Sequence, residues 1–107
     1  FGDGEQTRDF VYVADLCRAV LLALDCDMGG EVYQIATGIE TSINRLVEIV
    51  QDVSGSDTRI CNAPTRHGDV RKNYSMITKA REILGWEPEV NLNLGLRETY
   101  EWFVNYA

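Results

Sequence analysis

The chain predicts a small mixed α/β domain, richer in helix than in sheet, on three observations. Four stretches of its 107 residues repeat apolar side chains at helical spacing and end at a cap residue or a glycine. Three short runs carry the β-branched, aromatic or alternating pattern of strands. No repeat, low-complexity tract or long linker divides them, so residues 1–107 read as one domain. Such few and short strands do not make an independent sheet. A subdomain leaning on a larger partner is therefore expected.

Phe10-Val11-Tyr12-Val13 reads as a strand or extended segment. Asp15 then opens a helix with Leu16, Ala19, Val20, Ala23 and Leu24 on one face, and Met28-Gly29-Gly30 stops it. Glu31 to Ala36 alternates polar and apolar like a half-buried strand. After the Thr37-Gly38 turn, Thr41 or Ser42 caps a second helix that buries Ile43, Leu46, Val47, Val50 and Val53 and stops at Gly55. Thr58 to Cys61 is a third short strand leading to the Pro64 loop. Ser75 caps a third helix with Ile77, Ala80, Ile83 and Leu84 inward and Gly85 at its end. Trp86-Glu87-Pro88 connects it to a last helix, capped by Asn91, with Leu92, Leu96, Tyr100, Phe103 and Val104 inward. Trp86, Trp102, Tyr100 and Phe103 read as an aromatic core.

A net charge of −7 argues against a nucleic-acid or anionic-membrane surface, which needs a basic patch. It leaves room for a small anionic ligand, since a few arginines set the local field. No apolar run is long enough to span a bilayer. Phe1-Gly2-Asp3-Gly4 is no signal peptide, and the lack of an initiator methionine suits a fragment or an excised domain. Cys17, Cys26 and Cys61 are odd in number and form no CxxC, so neither a disulfide framework nor a zinc site is expected, and a reducing cytoplasm fits.

Two segments carry chemistry: Gly2 to Asp15 and Arg66-His67-Gly68-Asp69-Val70-Arg71. Arginine presents a planar fork that binds phosphate oxygens two at a time, and two forks on one ligand suit a diphosphate. Arg8 either does this or forms a surface ion pair with Asp9 or Asp15. Arg66 is a phosphate ligand or a solvated loop charge. Asp69 accepts a ribose hydroxyl or orients Arg66 or Arg71. Phe10 and Tyr12 line a sugar or base pocket or belong to the core. Asp15 suits the helix N-terminus through the macrodipole. His67, without a second imidazole, reads as loop surface. Gly2-x-Gly4 lacks the preceding strand and following helix of a dinucleotide fingerprint, and no tyrosine is followed four places later by lysine.

These motifs in this order resemble the C-terminal part of the nucleotide-sugar epimerases and dehydratases of the extended short-chain dehydrogenase/reductase family. The resemblance rests on Gly-Asp-Gly-x-Gln-Thr-Arg-Asp-Phe-Val-Tyr-Val-x-Asp, Glu-Val-Tyr-Gln-Ile-Ala-Thr-Gly and Arg-x-Gly-Asp-Val-Arg. It continues through Thr-Lys-Ala-Arg-Glu-Ile-Leu-Gly-Trp-Glu-Pro and Leu-Gly-Leu-Arg-Glu-Thr-Tyr-Glu-Trp-Phe, essentially end to end. It implies the C-terminal part of an extended Rossmann-type enzyme, with NAD held by a separate N-terminal Rossmann domain and no cofactor or metal bound by this chain. Arg8 and Arg66 would grip the diphosphate of a nucleoside-diphosphate sugar, with Asp69 at the ribose and Phe10 near the ligand. Asn73 stands near the expected phosphate site where the family often has a small residue. Ser75-Met76 replaces Ala-Asp, and Ile39 replaces a second glycine.

The hydride chemistry of such enzymes uses a tyrosine and a lysine that this chain does not carry, so no catalytic residue is expected and the isolated chain should be inactive. The function expected is the substrate-binding portion of a UDP-sugar 4-epimerase. The same portion of a dehydratase or UDP-glucuronate decarboxylase is the alternative, and a non-catalytic binding module is another. An apolar surface left open by a missing Rossmann domain should promote self-association.

Overall fold

The amino-terminal segment is the seam of the molecule. In the computed structural model, which describes residues 1–27 and 29–107, β1 (Thr7–Arg8) pairs antiparallel with β2 (Thr41–Ser42), Thr7 opposite Ser42 and Arg8 opposite Thr41. On the other side Thr7 N–H donates to the Arg71 carbonyl at 2.9 Å and Gly2 N–H to that of Ala63 at 2.8 Å. The helices are α1 (Val13–Leu24), α2 (Ile43–Ser54), a single π-helical turn (Ala80–Leu84) and α3 (Leu92–Tyr106). α2 packs against α3, and α1 against the π-helical turn. The result is the helix-rich mixed α/β domain that the sequence predicts.

Capping follows the sequence closely at α2 and α3. The Ser42 hydroxyl accepts from Arg45 N–H, Asn91 Oδ1 accepts from Leu94 N–H at 2.8 Å, and Gly55 closes α2 with φ +67°. The strands are corrected. Phe10 to Tyr12 joins no ladder; Tyr12 is extended, but its carbonyl accepts from Leu16 N–H and Val13 already belongs to α1. Residues 31–36 and 58–61 pair with no described strand. The alternation at 31–36 reports half-burial on a neighbouring surface, with Tyr33, Ile35 and Ala36 packed into the core, whereas Thr58 to Cys61 are exposed throughout. A side-chain period carries no information about a partner strand.

α1 ends at Leu24, before the expected stop, of which Met28 lies outside the described residues. Ser75 does not cap the third helix. Its N–H is held by the Asp9 carboxylate, and the helix is a short stretch ending in the π-helical turn, with Lys79 before it. Gly85, at φ +65°, and Trp86 both donate to the Ala80 carbonyl, widening the turn where Trp86 enters the core.

That core is Ala19, Ala36, Ile77, Ala80, Leu84 and Trp86, with Ile49 buried separately on α2. Of the aromatic core expected from sequence, only Trp86 is buried. Tyr100, Trp102 and Phe103 are exposed, as are Leu16, Val20 and Leu24 on the face expected to be buried on α1 and Val104 on α3. α3 is buried at Gly95, where a Cβ would lie 3.2 Å from the Tyr12 ring, so its contact is made by its first turns.

The accessible surface of 7803 Å² exceeds the roughly 6,000 Å² expected of a folded 12.1 kDa monomer. The radius of gyration, 16.3 Å, likewise exceeds the value of about 13 Å for this length. The chain is open for its size, and α1 and α3 both carry exposed apolar side chains.

Candidate functional site

β1 places its side chains by being held on both edges, by β2 and by residues 63–71. The Arg8 guanidinium reaches across to the second motif. Its Nη1 donates to the carbonyls of Thr7 (2.7 Å) and Val70 (2.6 Å), and its Nη2 to Asp69 Oδ1 at 2.7 Å. The partner of Arg8 is therefore Asp69 rather than Asp9 or Asp15, and Asp69 orients Arg8 rather than Arg66 or Arg71. Both side chains remain a little over a quarter exposed. An arginine has five N–H donors, and these bonds engage three of them.

Arg66 stands beside this pair through the backbone, since Asp69 N–H donates to the Arg66 carbonyl at 3.3 Å. Its guanidinium carbon lies 3.7 Å from the Phe1 ring centroid, a cation–π contact on an exposed side chain. Arg71 forks onto Asp3 at 2.8 and 3.3 Å. That guanidinium and the Glu5 N–H hold the Asp3 carboxyl below its usual range. A cleft of about 560 Å³ opens between the two segments, lined by Phe1, Gln6, Asn62, Pro64, Asp69 and Arg71 among others.

The other expected residues are distributed differently. Asn73 is exposed on the same stretch, between Arg71 and Ser75. Phe10 lines two smaller apolar cavities of about 250 and 240 Å³ against the start of α3, neither of them lined by Arg8, Arg66 or Asp69. The structure thus joins Arg8 to Asp69, ties the Arg66 backbone to Asp69 while the Arg66 guanidinium lies on Phe1, and leaves Phe10 apart.

Two carboxylates carry more than the sequence indicated. Asp9 accepts from Thr37 N–H (2.8 Å), Thr37 hydroxyl (2.6 Å), Gly38 N–H (2.8 Å) and Ser75 N–H (3.4 Å). Asp15 is 2% exposed and accepts from Glu89 and Val90 N–H and from Arg18, while its carbonyl accepts from Trp86 Nε1. Burial penalises its charge most, yet the Val90 N–H, the Arg18 guanidinium and the Glu89 N–H together outweigh that and lower its pKa. It is an anchor for the 86–90 connection more than a dipole ornament. A hydrophilic residue placed among apolar ones, Asp15 within Val13–Leu24, was the signal available.

The glycines do not build a dinucleotide cradle. Gly4, at φ +78°, lies so near the Asn44 side chain that a Cβ would overlap it. The α2 amides Ile43, Asn44 and Arg45 already donate to the Gln6 carbonyl, the Gly4 carbonyl and the Ser42 hydroxyl. A helix N-terminus whose donors are engaged offers nothing to a pyrophosphate. Among the described residues no cluster of metal-ligating side chains occurs, all three cysteines are free, and no helix is long and apolar enough to cross a membrane.

Residues 1–99 match the family model described as GDP-mannose 4,6 dehydratase. The chain belongs to this family of nucleotide-sugar enzymes. A UDP-glucose 4-epimerase of Mycolicibacterium smegmatis is 39% identical over 105 residues, covering 98% of this chain and 34% of the relative. The structure of a Thermotoga maritima UDP-glucose 4-epimerase with UDP-glucose is 48% identical, with a TM-score of 0.91 over 97% of this chain and 33% of that one. A Bacillus cereus UDP-glucuronic acid 4-epimerase, solved with UDP-glucuronic acid and NAD, is 30% identical with a TM-score of 0.91, over 100% of this chain and 35% of that one. Family members named as a decarboxylase and a dTDP-glucose 4,6-dehydratase match as well. The chain spans about a third of the length of the relatives it matches.

Proposed function

We propose that this chain is the nucleotide-sugar-binding portion of a UDP-sugar 4-epimerase, in which Arg8 and Arg66 hold the diphosphate and Asp69 meets the ribose. The observation that supports it is the docking of the 66–71 loop on β1 through Arg8, which leaves two Arg8 N–H donors uncommitted. Relatives solved with UDP-sugars share the fold of this part.

The chemistry of the pair is an exchange. In the free chain Asp69 neutralises Arg8, so a diphosphate arriving at Arg8 meets a like charge. Its binding is favourable when Asp69 turns to accept a ribose hydroxyl, so that the nucleotide replaces the carboxylate at Arg8 and satisfies it elsewhere. Arg66, stacked on Phe1, adds a second cation without losing a hydrogen bond. Phe10 would approach the ligand from the apolar side and Asn73 from the loop. In the whole enzyme, NAD supplies a reversible hydride acceptor. The residues here bind and orient the sugar nucleotide, and none of them reacts. A dehydratase or decarboxylase parent would use the same half-site, and relatives named as a decarboxylase and a dTDP-glucose 4,6-dehydratase support that second reading. The free cysteines support a reducing, cytoplasmic setting.

Calorimetric titration at low salt tests the diphosphate role. UDP should bind saturably and weakly, UMP more weakly, and uridine without measurable heat. Equal heats for UDP and uridine would place recognition on the base and overturn the assignment of the arginines.

A further inference from the structure

We infer that Asp9 is a positioning residue for the candidate site, fastening the far end of the segment whose near end Arg8 holds. This rests on the reading of Arg8, Asp69 and Asn73 as ligand-facing.

The geometry is that of one dipeptide tying down both ends of a loop. Arg8 bonds Asp69 Oδ1 and the Val70 carbonyl, and Thr7 N–H adds the Arg71 carbonyl. The next residue, Asp9, points the other way. Its Oδ1 takes both donors of Thr37, and its Oδ2 takes Gly38 N–H and Ser75 N–H. Residues 69–75 are therefore pinned at 69–71 by Arg8 and Thr7 and at 75 by Asp9, and the exposed Asn73 is carried on the span between the pins. A loop held at both ends has less conformational freedom to lose when a ligand binds. Four donors converge on one carboxylate, a number that a carboxamide cannot satisfy, because one of its two heads is itself a donor.

The division of those four bonds makes the idea testable. In Asp9→Asn the oxygen keeps the two Thr37 donors, and the amide group faces Gly38 and Ser75 N–H. Ser75, whose bond is the longest at 3.4 Å, is the end that lets go. β1, α2 and α3 keep their own bonds. Amide hydrogen exchange and 15N relaxation on the free chain are the first readouts. Asp9→Asn should accelerate exchange at Ser75, whose N–H is the bonded one, and lower the backbone order parameters of the exposed residues 70–74, while Arg45, Leu94 and the α2 interior stay as in the unsubstituted chain. UDP titration is the second. Loss of a charge-assisted hydrogen bond that orders the loop should weaken binding about tenfold. Ser42→Ala is the control, because it removes the α2 cap and lowers stability without touching the span, so UDP affinity should stay unchanged in it.

Faster exchange at Ser75 and lower order confined to 70–74, with weaker UDP binding in Asp9→Asn alone, establish the positioning role. Unchanged exchange at Ser75 together with unchanged order at 70–74 overturns it, whatever UDP does. So does weakening of UDP binding in Ser42→Ala by as much as in Asp9→Asn, since Asp9 would then act through stability alone. If the unsubstituted chain binds no UDP, the ligand reading fails separately, and the exchange pattern still decides whether Asp9 pins the loop. Should Asp9→Asn fail to fold, Ser75→Pro removes the same N–H donor with Asp9 intact and must lower the backbone order parameters of 70–74; unchanged order there overturns the role.

Discussion

Replacing Asp15 by asparagine should destabilise the domain more than any surface change of charge. Asp15 Oδ2 takes Glu89 N–H at 3.1 Å and Val90 N–H at 3.0 Å, and Oδ1 takes Arg18 at 2.9 Å, on a side chain almost wholly removed from water. An asparagine keeps one oxygen, so either the two amides or the arginine must face an N–H₂ group. Hydrogen bonds to a charged group contribute about 1.5–3 kcal/mol, which puts the loss at about 2 kcal/mol out of the roughly 5–15 kcal/mol available to a domain. The melting temperature should fall by about 10 °C.

The sign of the pH dependence follows from the lowered pKa. The carboxyl titrates below its ordinary value of 3.8 in the folded chain. Its contribution is complete above that unfolded value and is lost as pH falls through the lower, folded one. Urea unfolding of Asp15→Asn and the unsubstituted chain should therefore differ fully near neutral pH and converge in acid. A gap under about 0.5 kcal/mol at neutral pH would refute the anchoring role, that being the range of ordinary surface substitutions. A gap of equal size in acid would refute its electrostatic origin.

Other outcomes follow from burial and backbone geometry. Trp86 is fully buried and Trp102 is more than half exposed, so Trp102→Phe should leave blue-shifted emission poorly quenched by acrylamide, and Trp86→Phe the reverse. Gly4→Ala should cost about 1–2 kcal/mol for its left-handed backbone and more for the overlap with Asn44, as read by thermal unfolding. Adding Asn44→Ala should recover the second part only. The open apolar faces of α1 and α3 should draw copies together, so sedimentation should show a mass that rises with concentration. A monomer with low dye binding across the range would count against it.

Local chemistry was legible in the sequence where one residue decides it. Ser42 and Asn91 begin their helices through a side-chain oxygen, and Gly55 and Gly85 end theirs because a residue without a Cβ adopts the left-handed backbone freely. Long-range pairing was not. The run at 10–13 has the composition of a strand, yet the ladder lies at Thr7–Arg8, because β2 and residues 63–71 approach the chain there. The stripes on α1 and α3 were readable as apolar, but periodicity does not tell which apolar face finds a cover. Arg8, Asp69 and Arg66 were visible as a pattern of forks and acceptors. That Arg8 meets Asp69 depends on how two segments about sixty residues apart are docked. The role of Asp9 is hidden for the same reason, since its partners are the backbone amides of Thr37, Gly38 and Ser75 and the Thr37 hydroxyl, all distant along the chain.

The most direct test of the diphosphate half-site is an amide NMR titration of the chain with UDP and UDP-glucose at low salt, repeated on Arg8→Ala and Arg66→Ala. Saturable shifts should appear across Gly68 to Asn73 and disappear in both variants while the rest of each spectrum stays dispersed. Shifts that persist in both variants, or none at all in a chain whose spectrum shows it folded, would contradict that half-site.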